Sequence, residues 1–227
     1  MWAVYKKELK SYFLSPIGYI TIGLFLLVFS LFFYLTTVSI GAYDMGNLYF
    51  NTARYGLLII IPIITMRMFA EERKNGTEQL LLTSPRSITS IVLGKFIAAA
   101  IIMFITELCT FMYFGILKYF GNPSLVVAIN TLVGFFLLSL AYISFGMFAS
   151  SLTENQIVAS VITIGVFIGM WFLPGINEIF GLFSLMDKFE KYSYGLISIQ
   201  DIITFVSFTL MFILLTIITL QRRKSIK

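Results

Sequence analysis

The sequence predicts an all-α integral membrane protein. It has six transmembrane helices, an N-terminal interfacial amphipathic helix and short re-entrant helices between spans five and six, all in one domain over residues 1–227. Three observations lead there. Of the 227 residues, 59% are hydrophobic and 12% charged, and mean hydropathy is +0.93. A soluble domain of this size cannot bury so much apolar surface, because surface grows too quickly relative to core volume. Several apolar runs also pass the roughly 18 residues that mark a spanning helix, and most charges flank those runs instead of interrupting them.

Residues 1–14 come first. Trp2, Tyr5, Leu9, Tyr12 and Phe13 follow helical spacing, while Lys6, Lys7, Glu8 and Lys10 fall on the remaining arc. That pattern suits a helix lying in the headgroup layer, aromatics down and lysines up; the plainer alternative is a lysine-rich flank anchoring the first span. Ser15-Pro16 supplies a break before the membrane.

Six spans follow, at 17–40, 52–70, 88–117, 124–150, 156–174 and 201–220. The first is too long for the apolar core of a cleavable signal and has no small-x-small site after it, so it is expected to stay as a span. Gly121-Asn122-Pro123 opens the fourth, and residues 150–155 form a tight turn into the fifth.

Lys and Arg set the orientation. Lys6, Lys7, Lys10, Arg67, Arg73, Lys74, Arg86, Lys95, Arg222, Arg223, Lys224 and Lys227 fall on one side; Arg54, Lys118, Lys188 and Lys191 fall on the other. Both termini and residues 71–87 are therefore expected in the cytoplasm, in a cell (inner or plasma) membrane. On the far side, residues 175–200 are too polar to span and too apolar for a free loop. Ile176, Ile179, Phe180 and Phe183 share a helical face there, as expected of short helices dipping back into the outer leaflet.

Composition also excludes. The net charge of +5 comes from bases beside apolar runs, not from a stripe on a soluble face, so nucleic acid is no expected partner. The chain has no histidine, which removes the commonest metal ligand and the usual general base. No metal site, catalytic residue or bound cofactor is expected. Cys109 is the single cysteine, so no intrachain disulfide can form.

One segment breaks the charge pattern. Glu71, Glu72, Arg73, Lys74, Asn75, Gly76, Thr77, Glu78, Gln79 and Leu80 crowd acids, bases and a turn between two spans, followed by Leu81 and Leu82. Gly76 suits the end of a helical extension of span two. Thr77 can cap a short helix from Glu78 to Leu82, with Glu78 and Gln79 in its first turn. Ser84-Pro85 repeats a start signal ahead of span three. The result is either a short helix presented to a soluble partner or a solvated charged turn; the residues alone leave both open.

A resemblance favours the first. The run Lys6-Lys7-Glu8-Leu9-Lys10-Ser11-Tyr12-Phe13-Leu14-Ser15-Pro16-Ile17-Gly18-Tyr19 resembles the N-terminus of ABC-2 type transporter permeases, closest to the gliding-motility-type branch. The run from Phe69 to Pro85, followed by Gly94-Lys95, is similar to that family's second signature, and the order of spans fits. The resemblance implies that residues 71–87 are a coupling segment received by a cleft on a separate ATP-binding subunit. The N-terminal helix would touch that subunit too. Two ATPase subunits would serve two permeases, the second being another copy or a relative, with an accessory membrane protein bearing a large outer domain as a further partner. The chain has no Gly-x-x-x-x-Gly-Lys-Ser/Thr loop, so ATP and its Mg would sit on the partner.

Inside the spans, Glu107 stands alone near the middle of the third. A carboxylate there costs at least about 2.5 kcal/mol, which makes it either a functional group or a protonated or hydrogen-bonded tie between helices. Arg54 can snorkel outward and is expected to need no partner. Gly165 and Gly169 allow close helix approach, at a dimer seam or in ordinary packing. Two competitors stand beside the permease of an ATP-driven exporter: an ion-driven secondary transporter using Glu107, and an intramembrane enzyme. The second lacks a histidine, or a lysine in a span centre, to serve a nucleophile.

Overall fold

The computed structural model describes residues 2–14, 16–41, 44–79, 87–172, 175, 181 and 184–226, and among them the regular structure is helical throughout. The order is α1 (Trp2–Leu14), α2 (Pro16–Phe33), α3 (Met45–Asn51), α4 (Leu57–Thr65), α5 (Ala70–Lys74), α6 (Ile88–Phe120), α7 (Leu125–Leu152), α8 (Gln156–Phe172), α9 (Leu185–Ser193) and α10 (Ile199–Ile226). Wide π-helical turns extend α2 through Tyr34–Val38 and join α3 to α4 through Thr52–Gly56. Among the described residues, five stretches are long and apolar enough to cross a membrane: Gly18–Val38, Met45–Lys74, Ile88–Phe120, Leu125–Leu152 and Ile199–Lys224. α8 is apolar over 17 residues, about 25 Å at 1.5 Å per residue.

The second span differs most from the sequence reading. It begins at Met45, not at residue 52, because Asp44 caps α3 by accepting from the Gly46 N–H at 2.9 Å. Within α3, Asn51 donates its side-chain amide back to the Asn47 carbonyl at 2.9 Å. The extra residue of the π-turn then breaks the 3.6 period across 52–56, so the pattern reads as two unrelated segments.

α7 is the hub. Residues 141–147 are buried in an unbroken row, which means neighbours on every side. α3, α4, α6, α8, α9 and α10 all pack on it. Ala141, Ser144, Gly146, Ala149, Ser150 and Ser151 keep its surface small enough for that approach. In lipid, apolar burial between helices gains little over lipid contact, so packing and hydrogen bonding must hold the bundle. Phe29, Tyr49 and Phe135 meet edge to face at centroid distances of 5.0 and 5.3 Å, each pair worth about 0.5–1.5 kcal/mol. Tyr49 also shares a 2.5 Å hydrogen bond with Thr110 on α6.

Contacts divide the bundle into two ends. At one, α1 meets the start of α6, and the end of α10 meets residues 66–79. At the other, α9 covers the mouth between α3 and α7, burying Leu185, Met186, Phe189 and Tyr192. The Asn130 amide donates to the Gly195 carbonyl at 2.7 Å there. Asp201, 1% exposed, is flanked by Lys188 at 3.6 Å and Lys191 at 3.4 Å. Residues 176–180, 182 and 183, on which the expected apolar face falls, lie outside the described residues. Arg54, expected to need no partner, lies 5.5 Å from the Trp171 ring and 5.8 Å from that of Tyr55. A ring quadrupole attracts a guanidinium held over it.

Candidate functional site

The charged segment of the sequence becomes an elbow over residues 66–79: a turn, the single-turn-plus α5, a second turn, and helical residues Glu78 and Gln79. Glu71 and Glu72 lie in the first turn of α5 and Arg73 and Lys74 in the last, which suits the helix dipole at both ends. Asn75 then sits at the C-cap and Gly76 follows with φ +71°. That left-handed conformation is where glycine avoids a penalty, as the sequence led one to expect. Thr77 donates its hydroxyl to the Glu72 carbonyl at 3.1 Å, closing the bend from within. Leu80 and the expected second start at Ser84-Pro85 lie outside the described residues. α6 starts with Ser87 as its N-cap, whose Oγ accepts from the Ser90 N–H at 3.3 Å.

The start of the elbow is fastened to α7 by a hydroxyl. Ser150 Oγ accepts from the N–H groups of Phe69 and Ala70, both at 3.1 Å, and donates to the Met66 carbonyl at 3.0 Å. The N–H groups of Phe69 and Ala70 are thus satisfied inside the protein.

Ion pairs make the other attachments. Lys95, on α6 and only 3% exposed, donates to Glu72 Oε1 at 2.9 Å and to Glu8 Oε1 at 3.1 Å. The Phe69 ring lies 5.4 Å from its ammonium. Lys7 approaches the same two carboxylates at 3.7 and 3.8 Å from the exposed side. Arg67 grips Glu71 with two hydrogen bonds of 2.6 and 2.7 Å, the strong forked geometry. Arg73 reaches the carbonyl of Leu152, the last residue of α7, at 3.4 Å and Glu154 just beyond it at 2.7 Å. Glu78, 7% exposed, binds Arg223 of α10 at 3.2 Å.

α1 completes the site. Gly94 lets it approach α6, since a Cβ there would come within 3.0 Å of the Val4 side chain. Tyr5, Leu9, Tyr12 and Phe13 are half-buried and Lys6, Lys7 and Lys10 exposed, as the periodicity predicts. For Trp2 only the backbone is described, as the first residue of α1. Glu8 departs from the reading: placed on the polar arc, it turns inward to Lys95. Burial, with the Glu8 carboxylate adding, pushes the Tyr12 phenol above its ordinary range and keeps it protonated. A polar cleft of about 300 Å³ lies between α1 and the elbow, with Glu8, Tyr12, Arg67, Glu71, Glu72 and Lys95 in its walls.

Glu71, Glu72, Arg73 and Glu78 are engaged by partners within the chain. Lys74, Asn75, Gly76, Thr77 and Gln79 are the exposed tip. Sequence reading missed Lys95 as a partner, although a signal was present. It lies on the stripe Ile88, Ile91, Val92, Ala98, Ala99 and Ile102 that α6 buries, where a lysine must find an acid.

Glu107 lies apart, on the buried face of α6, 3% exposed. Its Oε1 has no hydrogen-bond partner among the described residues. Gly165 and Gly169 face outward, with nothing within 4 Å of where a Cβ would sit.

A protein-family model described as ABC-2 family transporter protein matches residues 44–216. The elbow falls inside that match and α1 outside it. No curated protein matches the chain.

Proposed function

The chain belongs to the ABC-2 transporter family, and from that premise we propose that it is the permease subunit of an ATP-driven exporter, with the elbow as its coupling segment. The observation that carries this reading is the wiring of residues 66–79. One exposed tip, Lys74 to Thr77, leads by ion pairs and hydrogen bonds to α1, α6, the end of α7 and the end of α10. A push at the tip is thereby delivered to several helices at once, where a solvated turn would absorb it.

In this reading two ATPase subunits bind nucleotide and close beneath a pair of permeases, the second being another copy or a relative. Closure displaces both elbows and changes how the two bundles lean on each other. A full swing from 1:99 to 99:1 needs about 5.5 kcal/mol of preference from the closed ATPases. The elbow end, with both termini, faces the cytoplasm of a cell membrane, as its excess of bases supports. The motif from Lys6 to Tyr19 resembles that of the gliding-motility-type branch, and in this reading an accessory membrane protein with a large outer domain is a further partner. ATP and Mg reside on the ATPase. A proton-driven alternative built on Glu107 fits less well, because the groove that this residue lines is walled by apolar side chains.

The test uses the chain co-reconstituted with its ATPase. Lys74→Glu with Asn75→Trp alters exposed side chains only, so insertion and thermal stability should hold while ATPase retention and ATP-dependent transport fall together. Normal retention and transport in that variant would remove the coupling assignment.

A further inference from the structure

Glu107 has no role in the elbow, and its surroundings pose their own question. Its neighbouring hydroxyls are committed elsewhere: Thr106 donates to the Ile102 carbonyl at 2.7 Å, and Thr110 donates to the carbonyl of Glu107 itself at 2.6 Å. The carboxyl lies at the edge of a groove of about 290 Å³ between α6 and α7. Phe104, Leu108, Ile129, Val133 and Phe136 form its walls, and the Phe104 and Phe136 rings meet edge to face at 5.4 Å. Phe104, Leu108, Ile129 and Val133 are exposed on the outside of two helices long and apolar enough to cross a membrane. The groove therefore opens toward lipid tails. An apolar slot with one convergent polar group is the usual form of a small-molecule site, and this volume lies at its lower limit.

We propose that this groove binds a lipophilic amine dissolved in the membrane, with its hydrocarbon body between α6 and α7 and its N–H donating to the Glu107 carboxyl. Complementarity selects the occupant. The walls accept only hydrocarbon, and the carboxyl is acceptor and acid at once. Of the donors a membrane solute can carry, only an amine also offsets a carboxylate's charge. Access is from the bilayer, so the ligand must partition there first. The site is independent of the elbow and stands or falls without reference to ATP coupling.

The experiment uses the full chain in lipid nanodiscs. Dicyclohexylcarbodiimide, which dissolves in the bilayer, should modify Glu107 as read by peptide mass spectrometry, and a water-soluble carbodiimide should not. Dodecylamine should slow that labelling saturably, by about tenfold, the size expected for one charge-assisted hydrogen bond. Dodecyltrimethylammonium, which has the same chain and no N–H, should protect far less. A fluorescent alkylamine should bind about tenfold more weakly to Glu107→Gln and should be excluded by Val133→Trp, which fills the groove and leaves the carboxyl in place. Absence of labelling in inserted protein would mean that another surface, such as a second copy, covers the groove, and would overturn the proposal. Equal protection by the quaternary compound, or unchanged binding in Glu107→Gln, would overturn it too. The protection assay on the unaltered chain decides the matter even if a variant folds poorly.

Discussion

Replacing Lys95 with methionine tests the wiring most directly. The side chain is 3% exposed, and methionine keeps its length without the charge. Glu8 Oε1 and Glu72 Oε1 lie 3.1 and 2.9 Å from the ammonium, so they are no more than about 6 Å apart. Two unit charges at that spacing repel by about 3 kcal/mol at an effective dielectric of 20. Breaking a buried pair by removing one partner typically loses about 3–5 kcal/mol. Two features lower the figure. The carboxylate side chains are 14% and 17% exposed, and Lys7 approaches both from the solvent side; an exposed pair restores about 1 kcal/mol at most. The expected loss for Lys95→Met is therefore about 2–4 kcal/mol, measured by reversible unfolding in mixed detergent. Adding Glu72→Gln should return at least about 1 kcal/mol of it, because the repulsion is then gone. If Lys95→Met unfolds within about 0.5 kcal/mol of the parent, or if the double variant is no better than the single, the cluster does not hold the elbow to α1 and α6.

Gly76→Val meets open space but must adopt φ near +71°, so it should lower stability by about 1–2 kcal/mol in the same unfolding assay, with the loss confined to elbow protection in hydrogen exchange. Asp201→Asn leaves Lys188 and Lys191 without their shared carboxylate at the start of α10. A loss of about 1–3 kcal/mol is expected, and partial recovery by Lys188→Met would identify the cause as stranded positive charge. Cys109 is exposed on the outside of α6 within an apolar span. In intact proteoliposomes it should resist a charged, water-soluble maleimide applied to either face and react once detergent unfolds the chain; ready modification in the bilayer would take α6 out of the membrane.

Much of the fold was legible because lipid imposes simple demands. A span needs length and apolarity, and those are written locally. Gly121-Asn122-Pro123 before α7 and Gly76 after α5 announced themselves by chemistry that acts over a few residues. The site was half legible. Its place between two spans and its turn could be read, but the partners of its charges could not: Lys95 and Glu8 are 87 positions apart, and Arg223 and Glu78 are 145 apart. No local rule links residues at such separation. The one available hint was positional, since Lys95 occupies a step on a helical stripe otherwise given to packing. The same test would have shown Glu107 facing inward without naming what it meets. The start of span two was hidden for a different reason, a change of helical winding that period-based reading takes for an ending.

That change of winding has its own consequence. A π-turn carries one more residue than an ordinary turn, so Thr52–Gly56 offsets the azimuth of everything before it by roughly 100°. Tyr49 faces Thr110 only because of that offset. Shortening the stretch by a single residue would keep the rod continuous and every main-chain bond made, yet swing the tyrosine a quarter-turn away from its hydroxyl neighbour. The position acts as a rotary adjustment in the chain: a change of one residue in length there alters direction where a substitution would alter only size.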